Sequence, residues 1–181
     1  MEGKLVSSIT SIKCDLNSEI FIFIRAYKGY NKLYIQKYDI CESKNRISLK
    51  TQISLSFSEW CRMVSLTQKI NRESMKRLPA NRLSYHHDKV PIKWPINYPV
   101  GSGSKYVCIQ VDIDDVKIHV TKFKVVEFEM RQDSHYGVIL NFREWQRLVI
   151  EMPNITTKFL KMSTLADTLY IWKNRALRSS N

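Results

Sequence analysis

Three side chains suited to gripping a nucleic-acid strand lie within four residues: Arg25, Tyr27 and Lys28. Tyr34 follows just beyond the next turn. Cations of this kind neutralise phosphates and release counterions, and flat rings stack on bases, at about 1–3 kcal/mol per stacked base. A bare sheet face that holds a single strand needs both. The chain offers little for other chemistry. No His, Cys and Asp stand at the spacing of a nucleophile and its base, and no glycine-rich loop is present to cradle phosphate. His86 and His87 are adjacent but lack a cysteine or carboxylate at metal-site spacing. Asp114 and Asp115 fall in a turn, where neighbouring side chains point apart, which disfavours acid–base work. The expectation is no enzyme, no cofactor and no metal.

These residues need a sheet to carry them. Glu19 to Tyr27 alternates strictly, with Ile20, Ile22, Ile24 and Ala26 on one face and Phe21, Phe23, Arg25 and Tyr27 on the other. Lys28-Gly29-Tyr30-Asn31 reads as a hairpin turn. Lys32 to Cys41 reads as the return strand, with Leu33 and Ile35 on one face and Tyr34, Gln36 and Tyr38 on the other. Two short strands around Ile47–Leu49 and Gln52–Leu55 follow a polar turn, and an extra strand fits around Ile9 to Cys14. A helix should run from Phe57 towards Arg77, with Trp60, Met63 and Val64 inward.

The unit occurs twice. Ile53-Ser54-Leu55-Ser56-Phe57-Ser58-Glu59-Trp60 is matched by Val138-Ile139-Leu140-Asn141-Phe142-Arg143-Glu144-Trp145, at an offset of 85 residues. Ser56 and Asn141 are good N-caps, and Glu59 and Glu144 stand three residues later, as a capping box requires. Each copy is thus a strand turning abruptly into a helix with a Trp in its first turn. The match continues upstream without a gap: Phe21–Ile24 aligns with Tyr106–Ile109, and Leu33–Ile35 with Ile118–Val120. An internal repeat of this kind decides the architecture before any other feature. In the second copy the sequence predicts strands over Tyr106–Ile113, Val116–Met130 and Gly137–Leu140, with Arg131–Tyr136 as a polar turn.

Residues 78–104 differ in character. Pro79, Pro91, Pro95 and Pro99 are spread through them and Gly101-Ser102-Gly103-Ser104 closes them, which reads as a linker. The second helix should stop at Pro153, and a separate C-terminal helix should begin near Thr156, with Phe159, Met162, Leu165, Leu169 and Trp172 as its packing stripe. The boundaries are then 1–77 for the first repeat, 78–104 for the linker, 105–155 for the second repeat and 156–181 for the C-terminal helix and basic tail.

Charge points to a polyanionic partner. The net charge is +12 and the first repeat carries most of it, 14 Lys+Arg against 7 Asp+Glu in residues 1–77, compared with 12 against 9 in residues 105–181. Cys14, Cys41, Cys61 and Cys108 form no CxxC pair and mostly fall in apolar-patterned segments, as reduced thiols in a nuclear or cytoplasmic protein do. No apolar run is long enough to span a membrane. The richness in Lys, Ile, Asn and Tyr is in keeping with an AT-rich genome, such as a virus has.

Each repeat resembles the single-stranded-DNA-binding domain of the transcriptional coactivator family of positive cofactor four. The residues that carry the resemblance are Phe21-Ile22-Phe23-Ile24-Arg25-Ala26-Tyr27-Lys28-Gly29 and the two strand-to-helix junctions ending at Trp60 and Trp145. The resemblance implies an α+β protein: two repeats of a curved antiparallel four-stranded sheet followed by a helix, packed as an intramolecular pseudo-dimer, plus the C-terminal helix. It implies single-stranded DNA as the ligand, with melted duplex and RNA as related ligands, transcription-machinery proteins as partners, and room for further homo-oligomerisation.

Carried over residue by residue, the resemblance marks Arg25, Tyr27 and Lys28 in the first hairpin and Lys50 in the loop before the last strand. Tyr30, Gln36 and Asp39 stand where the family pattern has Lys, Arg and Trp; Tyr30 and Gln36 remain candidates. In the second repeat Gln110, Asp112 and Ile113 replace the hairpin trio, and Asp114 and Asp115 add negative charge, leaving Lys124 and His135. Two functions follow. One is a non-enzymatic single-strand binder in transcription, replication or repair that works mainly through the first repeat. The other is a protein-interaction or structural protein that keeps the fold with a degenerate channel. The charge and the retained hairpin favour the first.

Overall fold

A computed structural model describes residues 6–13, 18–27, 30–40, 46–78, 96–100, 105–111, 116–126 and 129–178. Two four-stranded antiparallel sheets and two helices make an α+β protein. The first sheet is β1 (Val6–Lys13), β2 (Ser18–Tyr27), β3 (Tyr30–Ile40) and β4 (Arg46–Leu55) in simple meander order. Helix α1 follows over Phe57–Met75. The second sheet is β5 (Ile96–Pro99), β6 (Lys105–Val111), β7 (Val116–Val126) and β8 (Glu129–Asn141), again a meander. Helix α2 closes the chain over Phe142–Arg178.

The two sheets carry an irregularity at corresponding places. The β3–β4 ladder shifts register between Gln36 and Tyr38, and the β7–β8 ladder shifts between Thr121 and Phe123, both 85 residues on. Both helices begin with a full capping box. The Ser56 amide donates to Glu59 Oε2 at 2.7 Å while the Glu59 amide donates to Ser56 Oγ at 3.3 Å. The Asn141 amide donates to Glu144 Oε2 at 2.8 Å while the Glu144 amide donates to Asn141 Oδ1 at 2.9 Å. Two orphan donors at each helix start are thereby satisfied, which fixes the sharp strand-to-helix turn.

The period-2 pattern decides which face of each sheet is buried. Ile20, Ile22, Ile24, Leu33, Ile35, Ile53 and Leu55 are all at most 2% exposed, and so are Val107, Ile109, Ile118, Val120, Val138 and Leu140. They join Trp60, Met63, Ile70, Trp145, Leu148, Ile155 and Phe159 of the helices in one continuous core. The helices are shared between the halves: α2 lies on β1, β2 and β3 of the first sheet, and α1 touches β6 of the second as well as its own β3 and β4. Strands β4 and β8 lie beside each other. Trp60 and Trp145, both 0% exposed, sit in this shared core as their position in the first helical turn predicts.

Contacts between the halves come in matched pairs. The Trp60 indole donates to Thr156 Oγ1 at 2.8 Å, and the Trp145 indole donates to Asn71 Oδ1 at 2.7 Å. Trp60 and Trp145 are 85 residues apart, and so are Asn71 and Thr156. Thr67 Oγ1 meets Met152 Sδ at 3.4 Å, and these two positions are also 85 apart. Glu59 receives Lys105 Nζ at 2.8 Å, while Glu144 receives Lys37 Nζ at 2.8 Å. Lys105 pairs across the ladder with Lys122, the position equivalent to Lys37.

The structure corrects four expectations. The stretch read as a linker contains β5, with Tyr98 and Val100 buried, so the second sheet begins at Ile96. Its pairing is offset from that of β1 by 88 rather than 85 (Ser8↔Ile24 against Ile96↔Ile109), and Pro99 is tolerated because β5 is an edge strand. The two short strands before α1 are one strand, and Arg131–Tyr136 is strand rather than turn. In both cases the register shift breaks the alternation that marks a strand. The extra strand expected around Ile9 is present as β1, a full member of its sheet. Finally, α2 runs unbroken through Pro153. Pro153 is exposed, so its ring and the hydrogen bond it cannot donate fall on the solvent side, while Met152, Ile155 and Phe159 are held in the core on either side. No separate C-terminal helix begins at 156.

Candidate nucleic-acid interface

Both helices cover the isoleucine face of the first sheet, so the opposite face stays open to solvent. Three rows of cross-strand partners define it. Ser7, Arg25 and Lys32 form one row; Ile9, Phe23, Tyr34 and Ser54 the next; Ser11, Phe21, Gln36 and Gln52 the third. Tyr38 lies beyond, opposite Glu19. The rings of Phe21, Phe23, Tyr34 and Tyr38 are all part-exposed, and Arg25 is exposed.

The rings touch one another. Phe21 and Phe23 stack with centroids 6.1 Å apart and planes at 23°, and Phe21 meets Tyr38 edge-on at 5.0 Å. The Arg25 guanidinium lies over the Tyr34 ring, 5.3 Å from its centroid. The Tyr38 hydroxyl donates to Gln36 Oε1 at 2.9 Å, and Gln36 Nε2 donates to Gln52 Oε1. The charge is polarised along the face. Arg25 and Lys32 stand at the hairpin end, and Glu19 is buried at the far end, where it accepts from Ser11 Oγ.

Of the residues expected from sequence, Arg25, Tyr34 and Gln36 are brought together on this one face. Tyr27 pairs with Tyr30 in backbone register at the hairpin end of the same sheet. Lys28 lies outside the described residues. Lys50 falls in the stretch of β4 where the register shifts, between Ser48 and Gln52. His135, the equivalent position 85 residues on, falls in the corresponding stretch of β8, between Gln132 and Gly137. Lys124 pairs with Arg131 on the neighbouring strand. Asp112 to Asp115 and His86–His87 lie outside the described residues, as do Cys14 and Cys41. Phe21, Phe23, Lys32 and Tyr38 share this face without being among the residues expected from sequence. The alternation that puts Phe21 and Phe23 on the face of Arg25 was the signal available for them.

The same face of the second sheet has a different surface. Where the first has Phe23 and Tyr34, the second has Cys108 and His119, both buried. Thr121 and Gly137 replace Gln36 and Gln52, and exposed Ile139 replaces Ser54. Cys108 Sγ donates to Asn97 Oδ1 at 2.7 Å, and burial pushes its thiol up to about 12, which keeps it neutral and unreactive. Cys61 is exposed on α1.

No protein-family model and no characterised protein matches the chain. Among the described residues no group of three His, Cys, Asp or Glu could hold a metal ion, and no helix is long and apolar enough to cross a membrane.

Proposed function

We propose that this protein is a non-enzymatic binder of single-stranded DNA that acts in transcription, as a coactivator-like factor, or in replication and repair. The observation that carries the reading is the open face of the first sheet, where Arg25 lies over Tyr34 beside part-exposed Phe21 and Phe23. Single-strand binders combine a basic track for the backbone with rings on which bases stack, and this face offers both. The net charge of +12 favours a polyanion. The resemblance of Phe21–Gly29 to the first hairpin of the coactivator family supports the same ligand.

The reading includes the assembly. The matched contacts of Trp60 with Thr156 and Trp145 with Asn71 are what a twofold interface produces, residue i meeting j while the equivalent of i meets the equivalent of j. Thr67 and Met152, equivalent positions in contact, mark the axis. The two repeats form an intramolecular pseudo-dimer in which the second repeat completes the core and the first holds the strand. A protein-interaction role finds its support in the second sheet, where Ile139 is exposed and buried Cys108 and His119 stand where the first sheet has the rings of Phe23 and Tyr34.

Fluorescence anisotropy with a labelled single-stranded oligonucleotide and a duplex of equal length, over a salt series, tests the function. Tighter binding to the single strand that weakens with salt is expected. Equal or absent binding to both would refute the reading.

A further inference from the structure

The edge of a sheet presents unpaired backbone N–H and C=O groups and pairs with another strand unless something prevents it. The two sheets have four edges, and three of them are dealt with among the described residues. Strands β4 and β8, each the last of its sheet, lie beside each other. Strand β5 is four residues long and carries Pro99, which cannot donate to a neighbour. The fourth edge is β1, eight residues with no proline, no register shift and no charge before Lys13. Among the described residues no strand pairs with its outer side, and Ile9 at its middle is 61% exposed.

By residue type this edge reads the same in both directions. Around Ile9 stand Ser8 and Thr10, then Ser7 and Ser11, then Val6 and Ile12. An antiparallel strand of the same sequence, centred on Ile9, sets Ile9 opposite its own copy. Hydroxyl then falls opposite hydroxyl at the next two positions and apolar opposite apolar at the third. Cross-strand pairs of these kinds are favourable, and no like charges meet. A twofold contact requires such self-complementarity, because one patch serves both copies. Helix α2 adds a second surface beside the edge. Lys158 Nζ donates to Thr10 Oγ1 at 3.1 Å, which ties α2 to β1. Lys161 and Leu165 follow Lys158 at three and seven residues, on the same side of the helix. With Leu160 and Thr164 they line a shallow open groove, and Leu160 and Leu165 are exposed.

We propose that β1 pairs antiparallel with the β1 of a second copy of this chain, in the register centred on Ile9, so that two four-stranded sheets join into one. The twofold axis of such a pair runs through the sheet, so the helices of both copies fall on one side and both open faces on the other. The row of Ile9, Phe23, Tyr34 and Ser54 then continues into the same row of the second copy. On the helical side the grooves at Leu160 and Leu165 flank the junction. This contact is separate from the one between the repeats, which lies within the chain, and it does not depend on the ligand of the open face. It closes at two copies, because each copy has one such edge. Two chains of net charge +12 repel, so salt that screens them strengthens the association.

Sedimentation velocity of the unaltered full-length protein over a concentration range, at two salt concentrations, tests the pairing without any variant. A monomer–dimer equilibrium that shifts towards dimer at the higher salt is expected. Ile9→Lys should abolish the dimer by opposing two lysines at the axis. Ile139→Lys, at the exposed isoleucine of the second sheet, should leave it unchanged. A short bis-maleimide linker reads the register. Ile9→Cys should be crosslinked as a dimer. Ser7→Cys should not be crosslinked beyond the unaltered protein, because Ser7 lies opposite Ser11 and away from its own copy. A monomer at every concentration, growth beyond dimers, dissociation by added salt, a dimer that survives Ile9→Lys, or equal crosslinking at both positions overturns the proposal.

Discussion

Replacing Trp145 by Ala should unfold the protein's centre rather than touch its ligand. The side chain is 0% exposed and packs where the two halves meet. Truncating a buried Trp to Ala costs about 3–5 kcal/mol through lost contacts and the cavity left behind. The indole also reaches across to Asn71 Oδ1 at 2.7 Å, so the loss falls on the interface between the repeats as well as on the second repeat. Set against a total stability of about 5–15 kcal/mol, the loss is large. For a chain of this size it corresponds to a fall in Tm of about 6–20 °C. Trp145→Phe keeps most of the ring and should lose only about 0.5–1.5 kcal/mol for the hydrogen bond. The assay is thermal and urea unfolding followed by circular dichroism. Trp60→Ala should behave alike, because its indole makes the equivalent contact with Thr156. A loss below about 1 kcal/mol in Trp145→Ala, with single-strand binding abolished, would show that the Trp belongs to the ligand and not to the core.

Other outcomes follow from the same contacts. Residues 1–78 and 96–181 expressed separately should be unstable or self-associating, because α2 covers the first sheet; two well-behaved monomers by sedimentation would contradict the shared core. Burial alone would raise the Glu59 carboxyl, but the Lys105 hydrogen bond and charge together with the Ser56 amide and hydroxyl hold it below its ordinary value of 4.5. A lowered folded value means that this contribution to stability is present above the unfolded range and fades as pH falls through the folded value. Glu59→Gln should therefore lower stability at pH 7 and show a shallower acid loss; parallel curves for the two proteins between pH 7 and pH 3 would contradict it. Gly137→Ala should destabilise by about 1–3 kcal/mol, since a Cβ there would stand 2.8 Å from Thr121 Oγ1 and 3.2 Å from the Val120 carbonyl oxygen. An unchanged urea midpoint would mean that β7 gives way.

Much of the fold could be read from the sequence because the repeat doubles each signal. Ser56 with Glu59 and Asn141 with Glu144 each fix a helix start, and two copies at one offset are hard to produce by chance. The alternation of Ile20, Ile22 and Ile24 with Phe21, Phe23 and Arg25 named both faces of β2. The missed features are those where a local rule was overridden by packing. β5 carries Pro99 and pairs at a changed offset, so neither propensity nor the repeat reveals it. Pro153 stops a helix in isolation but not one anchored in the core on both sides of it. The partners of Glu59 and Glu144 stand 46 and 107 residues away, and no spacing rule reaches that far. In the site, Arg25 and Tyr34 were legible from type and spacing. Phe21, Phe23 and Tyr38 were not singled out, because an apolar ring in a strand usually belongs to a core. Only the placement of both helices on the other face shows that these do not.

The central claim is that a single strand binds the first sheet and not the second. Titrating Arg25→Ala/Lys28→Ala and Lys124→Ala/His135→Ala proteins side by side against one labelled single strand, at two salt concentrations, tests it most directly. The account predicts a marked loss of affinity for the first pair, with a salt slope flatter by about 0.7 for each phosphate contact removed, and little change for the second pair. Equal losses from the two pairs, or no loss from the first, would contradict it.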